Sequence, residues 1–377
     1  MKIHSHGSLK IWGGPFEPGA MAQLEQLASM PYLYAHVCAM PDAHIGIGAT
    51  IGSVFATVNA VVPSAVGVDI GCGMRAVRTD LPADAAMKDR LQRFIDTVYA
   101  RVPVGFESHG SNREWAGMEN FPLNDSALRK KAAQQLGTLG GGNHFVEVQG
   151  DGERLWLMIH TGSRHIGLQI AEKYIHAAKQ MNLQQGHDLP PDLSFLPVGT
   201  ALGGEYLDAM DWALDYAKEN RRQLMEDLLD IFRETVTPSF AVTDDIEINH
   251  NFAAFETHFG KRVLVHRKGA VRAFKGEPGI IPGSMGAPSY ITRGRGNPDS
   301  FMSSSHGAGR CMGRREAQKS IRMDAFEQAM KGVTANLSHR MLDEAPQAYK
   351  DIDAVMAAQS DLVEIVYRLM PLASVKG

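Results

Sequence analysis

The stretch Val66-Gly67-Val68-Asp69-Ile70-Gly71-Cys72-Gly73-Met74 constrains this chain more than any other. It sets a carboxylate, Asp69, and a thiol, Cys72, among apolar residues that favour burial. Gly67, Gly71 and Gly73 allow tight turns and the close approach of a bulky group. Burying a charge without a partner is costly, and a divalent metal is one partner that accepts both oxygen and sulfur. A tight turn with a capping Asp and an inert core Cys uses the same residues, so this stretch alone leaves both readings open.

Three further segments end an apolar run on a histidine. They are Asn143-His144-Phe145-Val146-Glu147, Leu157-Met158-Ile159-His160-Thr161 and Glu247-Ile248-Asn249-His250-Asn251. A lone histidine of this kind is more often a satisfied core residue than a ligand. Several of them beside Asp69 and Cys72 favour a metal centre. Imidazole suits Mn, Zn, Fe and Ni, while thiolate pulls toward softer ions. One carboxylate, one thiolate and three imidazoles exceed a single tetrahedral site and fit two neighbouring ions with a shared ligand. Two-metal sites are typical of in-line displacement at phosphorus. The chain has no CxxC and no HExxH, which excludes a zinc ribbon and a zincin.

A second group of motifs suits phosphate. Gly279-Ile280-Ile281-Pro282-Gly283-Ser284-Met285-Gly286-Ala287 offers backbone N–H groups and a hydroxyl, and reads equally as a phosphate-cradling loop or a plain turn. It is no Walker A, because the GK[ST] ending is missing. In Ser303-Ser304-Ser305-His306-Gly307-Ala308-Gly309-Arg310 the histidine is flanked by serines and glycines, a setting that exposes it to a ligand. Histidine can itself be a nucleophile. Arg310 and Arg314 share one side if the segment is helical, and arginine is the preferred bidentate partner of phosphate. The bland alternative is a turn with a surface histidine and solvated arginines. More basic residues gather at His266-Arg267-Lys268 with Arg272 and Lys275, and at Arg293 and Arg295.

Composition narrows the class. The chain has 377 residues, room for one large domain or two ordinary ones. A net charge of −4 and a pI near 6.4 give no global basic signature, so any nucleic-acid partner must meet a local basic patch. Cys38, Cys72 and Cys311 are too few and too scattered for a disulfide framework and point to a reducing cytosol. Met1-Lys2-Ile3-His4-Ser5-His6 has no apolar leader core. No run approaches the roughly 18 apolar residues of a membrane span.

Periodicity and punctuation predict helices over 20–30, 82–99, before 136, after 164, 204–234, 315–331 and 351–359. Strands are predicted over 54–62, 66–78, 144–148, 155–160, 246–252, 262–265 and 290–293, and again near the C-terminus. Residues 40–48 and 103–123 read as loops, and 181–199 as an exposed excursion. There is no internal repeat and no βαβ beat, which favours an α+β domain spanning 1–377, built on mixed and antiparallel sheets.

Taken together, the chain resembles the RtcB family of GTP-dependent RNA ligases. The resemblance runs from Met40-Pro41-Asp42-Ala43-His44 to Val375-Lys376-Gly377 and rests on GVDIGCGM, LGGGNHF, HTGSR, RKGA, GIIPGSMGA, SHGAGR and AYKDIDAV. It implies a fold around a central dinuclear cleft holding two Mn²⁺ ions, with Asp69, Cys72, His144, His160 and His250 on the ligand positions. It implies guanylylation of His306 and a GTP site of Asn143, Phe145, Glu147, Ser284, His306, Gly307, Ala308, Gly309, Tyr349 and Lys376. Arg164, Lys268, Arg310 and Arg314 fall on positions for phosphate or the RNA backbone. The implied reaction joins RNA ending in a 3′-phosphate or 2′,3′-cyclic phosphate to RNA with a 5′-hydroxyl, in repair or tRNA splicing, and an activating protein partner is compatible with it. His165, His266 and the short region between Leu123 and Gly137 depart from the family pattern and put the RNA-binding surface in question. A phosphodiesterase that opens cyclic phosphates and an RNA-binding chaperone are the competing readings. His306 argues against the first, and the complete ligand set against the second.

Overall fold

The β-branched runs pair into two large sheets in the computed structural model, which describes residues 2–3, 9–85 and 87–377. His4-Ser5-His6, part of the stretch read against a leader, lies outside the described residues. One sheet has six strands in the order Lys2–Ile3, Leu9–Ile11, Leu33–His44, Ile51–Thr57, Lys261–Lys268 and Asn251–His258. The other has seven, in the order Val242–Asn249, Gly73–Pro82, Arg154–Thr161, Phe145–Gly150, Val363–Lys376, Ser289–Gly294 and Pro278–Ile281. Pairing is antiparallel except between Leu9–Ile11 and Leu33–His44. The last strand in sequence, Val363–Lys376, thus lies inside its sheet, between Phe145–Gly150 and Ser289–Gly294. This is the expected α+β class.

The long helix Ala201–Thr235 starts at Thr200, whose hydroxyl accepts from Gly203 N–H at 3.1 Å. Its buried positions Tyr206, Ala213, Ala217, Leu224, Leu228 and Ile231 recur at helical spacing. The N-terminal half packs on the helix Arg164–Gln184 through Ile166, Ile170 and Tyr174. The C-terminal half packs on Val77, Val146, Leu157 and Ile159 of the seven-stranded sheet. Each fully buried side chain of this size contributes roughly 1.5–3 kcal/mol relative to exposure. No helix of the described residues is long and apolar enough to cross a membrane.

Several predicted elements differ. Residues 66–78 do not form one strand: the short helix Pro63–Val66 is followed by a turn, and the strand begins at Gly73. Gly67 (φ 99°) and Gly71 (φ 72°) break the extended run that its β-branched neighbours advertise. That strand continues to Pro82, and the helix predicted from 82 starts at Lys88. Residues 40–44 belong to a strand and not to a loop. The segment 181–199 is an exposed excursion only in part: residues 183–188 are exposed, but the helix runs to Gln184, and Leu193 and Leu196 are buried. Residues 315–331 split into Arg314–Ser320 and Met323–Ala329, so that Ala317, Ile321 and Phe326 enter one apolar cluster. Residues 246–252 are two strands from different sheets, divided at His250.

His266, one of the departures from the family pattern, is fully buried and does not face an RNA surface. Its ring stacks on Phe55 at 4.7 Å, and its Nε2 accepts from Val62 N–H at 3.0 Å. Burial pushes its pKa down to about 3. The folded state therefore keeps it neutral, while the unfolded chain protonates it near pH 6.5. Its contribution to stability is complete above pH 6.5 and is lost as pH falls toward 3, by at most ~1.4 kcal/mol per pH unit. His266→Gln, which retains an acceptor for Val62, should show a shallower loss of stability between pH 6.5 and 4 in denaturant titrations. An unchanged acid limb would assign the slope to other groups.

Candidate metal centre and nucleotide pocket

Strand register brings the five predicted metal ligands to one end of the seven-stranded sheet. Gly73 pairs with both Asn249 and Thr161, Met74 with His160, and His160 with Phe145. Cys72, His144 and His250 each lie one residue beyond those pairs. The glycine turn is pinned by Cys72 N–H to Asp69 O (3.1 Å), Gly71 N–H to Asn251 O (2.8 Å) and His250 N–H to Cys72 O (2.9 Å). A Cβ at Gly71 would press on Leu214 and Ala217 of the long helix, so only glycine lets the turn lie there.

Two triads result, Asp69–Cys72–His144 and Cys72–His160–His250, each with its donor atoms within 4.8 Å of one another. His144 Nε2 lies 3.0 Å from Asp69 Oδ2 and 3.5 Å from Cys72 Sγ. His160 Nε2 lies 3.3 Å from Cys72 Sγ and 2.9 Å from His250 Nε2. His144 Nδ1 sits 3.0 Å from Leu139 O, and His160 Nδ1 3.2 Å from Asn143 O. A carbonyl only accepts, so each Nδ1 carries the proton and each Nε2 turns a lone pair to the centre. Burial, with the neighbouring histidines adding to it, holds His160 and His250 well below the usual imidazole range. Burial and the Asp69 charge push the Cys72 thiol up. Burial also works against the Asp69 carboxylate, but His144, Cys72 and Arg164 together bring it down to about 2. Imidazole nitrogens, a carboxylate and a thiol converging on one place suit divalent cations, and the shared Cys72 suits two.

A fully buried arginine holds this arrangement. Arg221 donates from Nη1 to Gly71 O (2.9 Å) and Thr161 O (3.1 Å), from Nη2 to Asn249 Oδ1 (2.6 Å) and from Nε to Glu247 Oε1 (2.8 Å). It thus ties the turn before Cys72, the residue after His160 and the residue before His250. Next to it, Asn220 bonds Thr138, Thr161 and Gly162. Sequence reasoning missed both, although an Asn-Arg pair on the buried face of an apolar-striped helix is a legible signal.

The ten residues predicted for the nucleotide line one cleft: Asn143, Phe145, Glu147, Ser284, His306, Gly307, Ala308, Gly309, Tyr349 and Lys376. His160 and His44 line it too, so it opens onto the ligand triads. The His306 and His250 rings are 4.8 Å apart. Ser303–Ser305 form a buried strand against Ala270–Arg272, and His306 emerges at its end into the cleft. Asp42, quoted in a motif but given no role, accepts from His306 N–H (3.1 Å) and Gly307 N–H (3.2 Å). Its Oδ2 also lies 2.6 Å from His306 Nδ1, close enough for an ion pair but off the hydrogen-bond direction. Burial, opposed by the Asp42 carbonyl and reinforced by His306, lowers His44 to about 4.

Glu344 is a second missed residue. It is buried and takes Lys376 Nζ (2.9 Å), Tyr349 OH (2.7 Å) and Arg314 Nη1 (2.6 Å), with Arg310 Nη1 at 3.5 Å. Burial alone would raise its pKa, but Lys376 and Arg314 hold it below the usual range. Glu147, next to Gln149 and Ser374, is pushed up to about 7 by burial. The basic residues expected at RNA phosphates are engaged within the protein. Arg164 bonds Thr138 Oγ1 (3.0 Å) and Gly105 O (2.9 Å). Lys268 donates to Ser64 O (2.9 Å) and Ile47 O, and burial lowers it to about 8. Arg314 also reaches Asn143 Oδ1. His165 sits half-buried in the first turn of its helix beside Gln135.

A family model described as tRNA-splicing ligase RtcB matches residues 23–122 and 118–377. An RNA-splicing ligase RtcB from Escherichia coli (strain K12) is 41% identical over 98% of this chain and 97% of its own length. An RNA-splicing ligase RtcB from Mycobacterium tuberculosis is 33% identical over 94% of this chain and all of its own. A tRNA-splicing ligase RtcB from Thermococcus kodakarensis is 30% identical over 95% of this chain and 91% of its own.

The Arg221 clamp is testable. Arg221→Ala should cost about 3–5 kcal/mol, the usual penalty for breaking a buried pair. Arg221→Lys keeps the charge but not the fork and should fold with a reduced metal content. Full metal occupancy by elemental analysis and a wild-type Tm in Arg221→Lys would remove the clamp from the site.

Proposed function

Because the chain belongs to the RtcB family, and is therefore an RNA ligase, we propose that it seals RNA 3′-phosphate or 2′,3′-cyclic phosphate ends to 5′-hydroxyl ends with GTP. The observation that carries this reading is the place of His306, at the junction of the nucleotide cleft and the two ligand triads. We further take residues 1–377 as one ligase unit working in the cytoplasm, in keeping with three free cysteines. The natural role is RNA repair or tRNA splicing.

His306 is the nucleophile. With Nδ1 against Asp42, its Nε2 is left for the α-phosphorus of GTP. Attack forms an N–P bond and expels pyrophosphate. Asp42 stabilises the positive charge that the imidazole acquires and, through two backbone N–H groups, fixes the ring's base. GMP then passes to an RNA 3′-phosphate, giving an activated end with a pyrophosphate link. The 5′-hydroxyl of the second RNA attacks the RNA phosphorus and GMP leaves. A cyclic phosphate must first be opened by water. Two Mn²⁺ ions on Asp69, Cys72, His144, His160 and His250 would supply positive charge against the transferring phosphoryl oxygens.

The other cleft residues divide the nucleotide. Glu147, whose carboxyl burial pushes up to about 7, faces the base together with Phe145, while Ser284, Gly307, Ala308 and Gly309 surround the phosphates. Lys376 and Tyr349, both held by Glu344, close the cleft. Arg310 and Arg314 stand on its rim, where RNA phosphates would arrive. Arg164 and Lys268 act behind that rim by bracing the loops around it.

Incubation with labelled GTP and Mn²⁺ should yield a protein–GMP adduct that RNA with a 3′-phosphate discharges. His306→Ala should abolish the label and retain the metal; persistent labelling would move the nucleophile elsewhere. Cys72→Ser should lower metal occupancy and every step together. If that variant holds two ions and ligates normally, Cys72 is only a core thiol. Arg314→Ala should keep the label and reduce joining, with a salt dependence of RNA binding shallower by about 0.7–0.9 for each phosphate no longer neutralised. Equal loss of label and joining would assign Arg314 to GTP.

A further inference from the structure

Phe106 is held rigidly and covered by nothing. It stands at the tip of a turn closed by Glu107 N–H to Val104 O (3.1 Å), with Gly105 at φ 59°. Its side chain is as open as in an extended chain, at 101% of the reference area. Single exposed apolar residues are ordinary; the mounting of this one is not. Gly105 N–H donates to Gly140 O at 2.9 Å, and Gly105 O accepts from Arg164 Nη2 at 2.9 Å. A Cβ at Gly141 would meet Gly105 Cα at 3.3 Å. Two residues past Gly141 stands Asn143, in the cleft and bonded to Arg314. Phe106 is thus fixed to the turn that feeds His144, yet it does not line the nucleotide cleft.

The same loop continues to Arg113, whose N–H bonds Ala133 O at 2.9 Å. There an open groove of about 790 Å³ runs between the loop and the helix Ser126–Gln135, with Trp115, Arg129 and Lys130 along it, Glu114 beside them, and Arg113 ion-paired to Asp227 at 2.6 Å. An uncovered aromatic face followed by a groove that carries the cations Arg129 and Lys130 is the chemistry that holds single-stranded nucleic acid.

We propose that Phe106 is a stacking platform for a nucleobase next to the RNA break, with that strand's backbone continuing along the Arg113–Lys130 groove. This rests on the ligase reading above. The base gains a planar apolar face outside the GTP cleft, and the phosphates beyond it gain counter-charge. Phe106 touches no reacting atom; it sets where the RNA end lies.

The test measures binding of short fluorescent RNAs, with a 3′-phosphate or a 5′-hydroxyl, beside GMP labelling of the same proteins. Phe106→Ala should weaken binding of one of these RNAs about 5- to 150-fold, the range of one lost base stack, and leave GMP labelling unchanged. Phe106→Leu, apolar but without a π-face, should behave like Ala, and Phe106→Trp should restore affinity. An RNA made abasic at the stacked position should bind wild type and Phe106→Ala alike. Arg129→Ala with Lys130→Ala should flatten the salt dependence by roughly 0.7 for each phosphate released. Equal affinity of wild type and Phe106→Ala, or full activity of Leu, overturns the platform alone. A wild-type chain that neither labels with GMP nor binds RNA overturns the ligase mechanism and the platform with it.

Discussion

A buried guanidinium under the candidate metal ligands is the constraint on which the site depends. Arg221 carries its charge where water cannot reach it, and nearly all its donors are fixed on the ends of strands that deliver ligands. A neutral side chain there would leave Gly71 O, Thr161 O and Asn249 Oδ1 without partners, and buried unpaired acceptors are costly. The helix that carries Arg221 is anchored in turn by two apolar clusters. Packing far from the chemistry therefore sets the ligand spacing. The charge has a second effect: it draws the Cys72 thiol toward ionisation, against burial and Asp69.

The two large sheets meet at this place. Strands Val242–Asn249 and Asn251–His258 belong to different sheets and are separated by His250 alone. His250 O also accepts from Ala270 N–H, which opens the strand that pairs with Ser303–Ser305. One residue thus links the candidate metal cluster, both sheets and the strand that ends at His306. Arg267 strengthens the far side. It is fully buried, bidentate to Glu256, and bonded to Ser303 Oγ (2.9 Å) and Phe301 O (3.0 Å). Donor groups for phosphorus chemistry are thereby held by backbone and buried side chains, and little reorganisation is needed when charge develops.

Much of this was legible in the chain. The glycine turn with Asp69 and Cys72 and the histidines at strand ends have few structural uses in common, so a candidate metal cluster could be read from residue type, whereas most of the cleft lining came only through the family resemblance. Less legible were elements whose ends depend on tertiary contacts. Residues 66–78 carry a strand's composition, but Gly67 and Gly71 take positive φ, and the long helix packs against Gly71 too closely for a side chain. His250 looked like one residue within a strand because periodicity does not report a change of sheet. Asp42, Arg221 and Glu344 were missed for a common reason: each acts by bonding partners more than a hundred residues away, or at a turn of irregular structure. The arginines and Lys268 show the converse. Their chemistry suits phosphate, yet their neighbours already engage them.

The position of strand Val363–Lys376 bears on how the molecule is made. It is last in sequence but lies within its sheet, flanked by strands that begin at Phe145 and Ser289. During synthesis the two parts of that sheet must wait with open edges until the strand arrives, a pairing of high sequence separation that slows folding. It also brings Ser374 and Lys376 to Glu147 and Glu344. The nascent chain therefore exposes these edges longest beside the cleft, whose wall Lys376 completes only when the sheet closes.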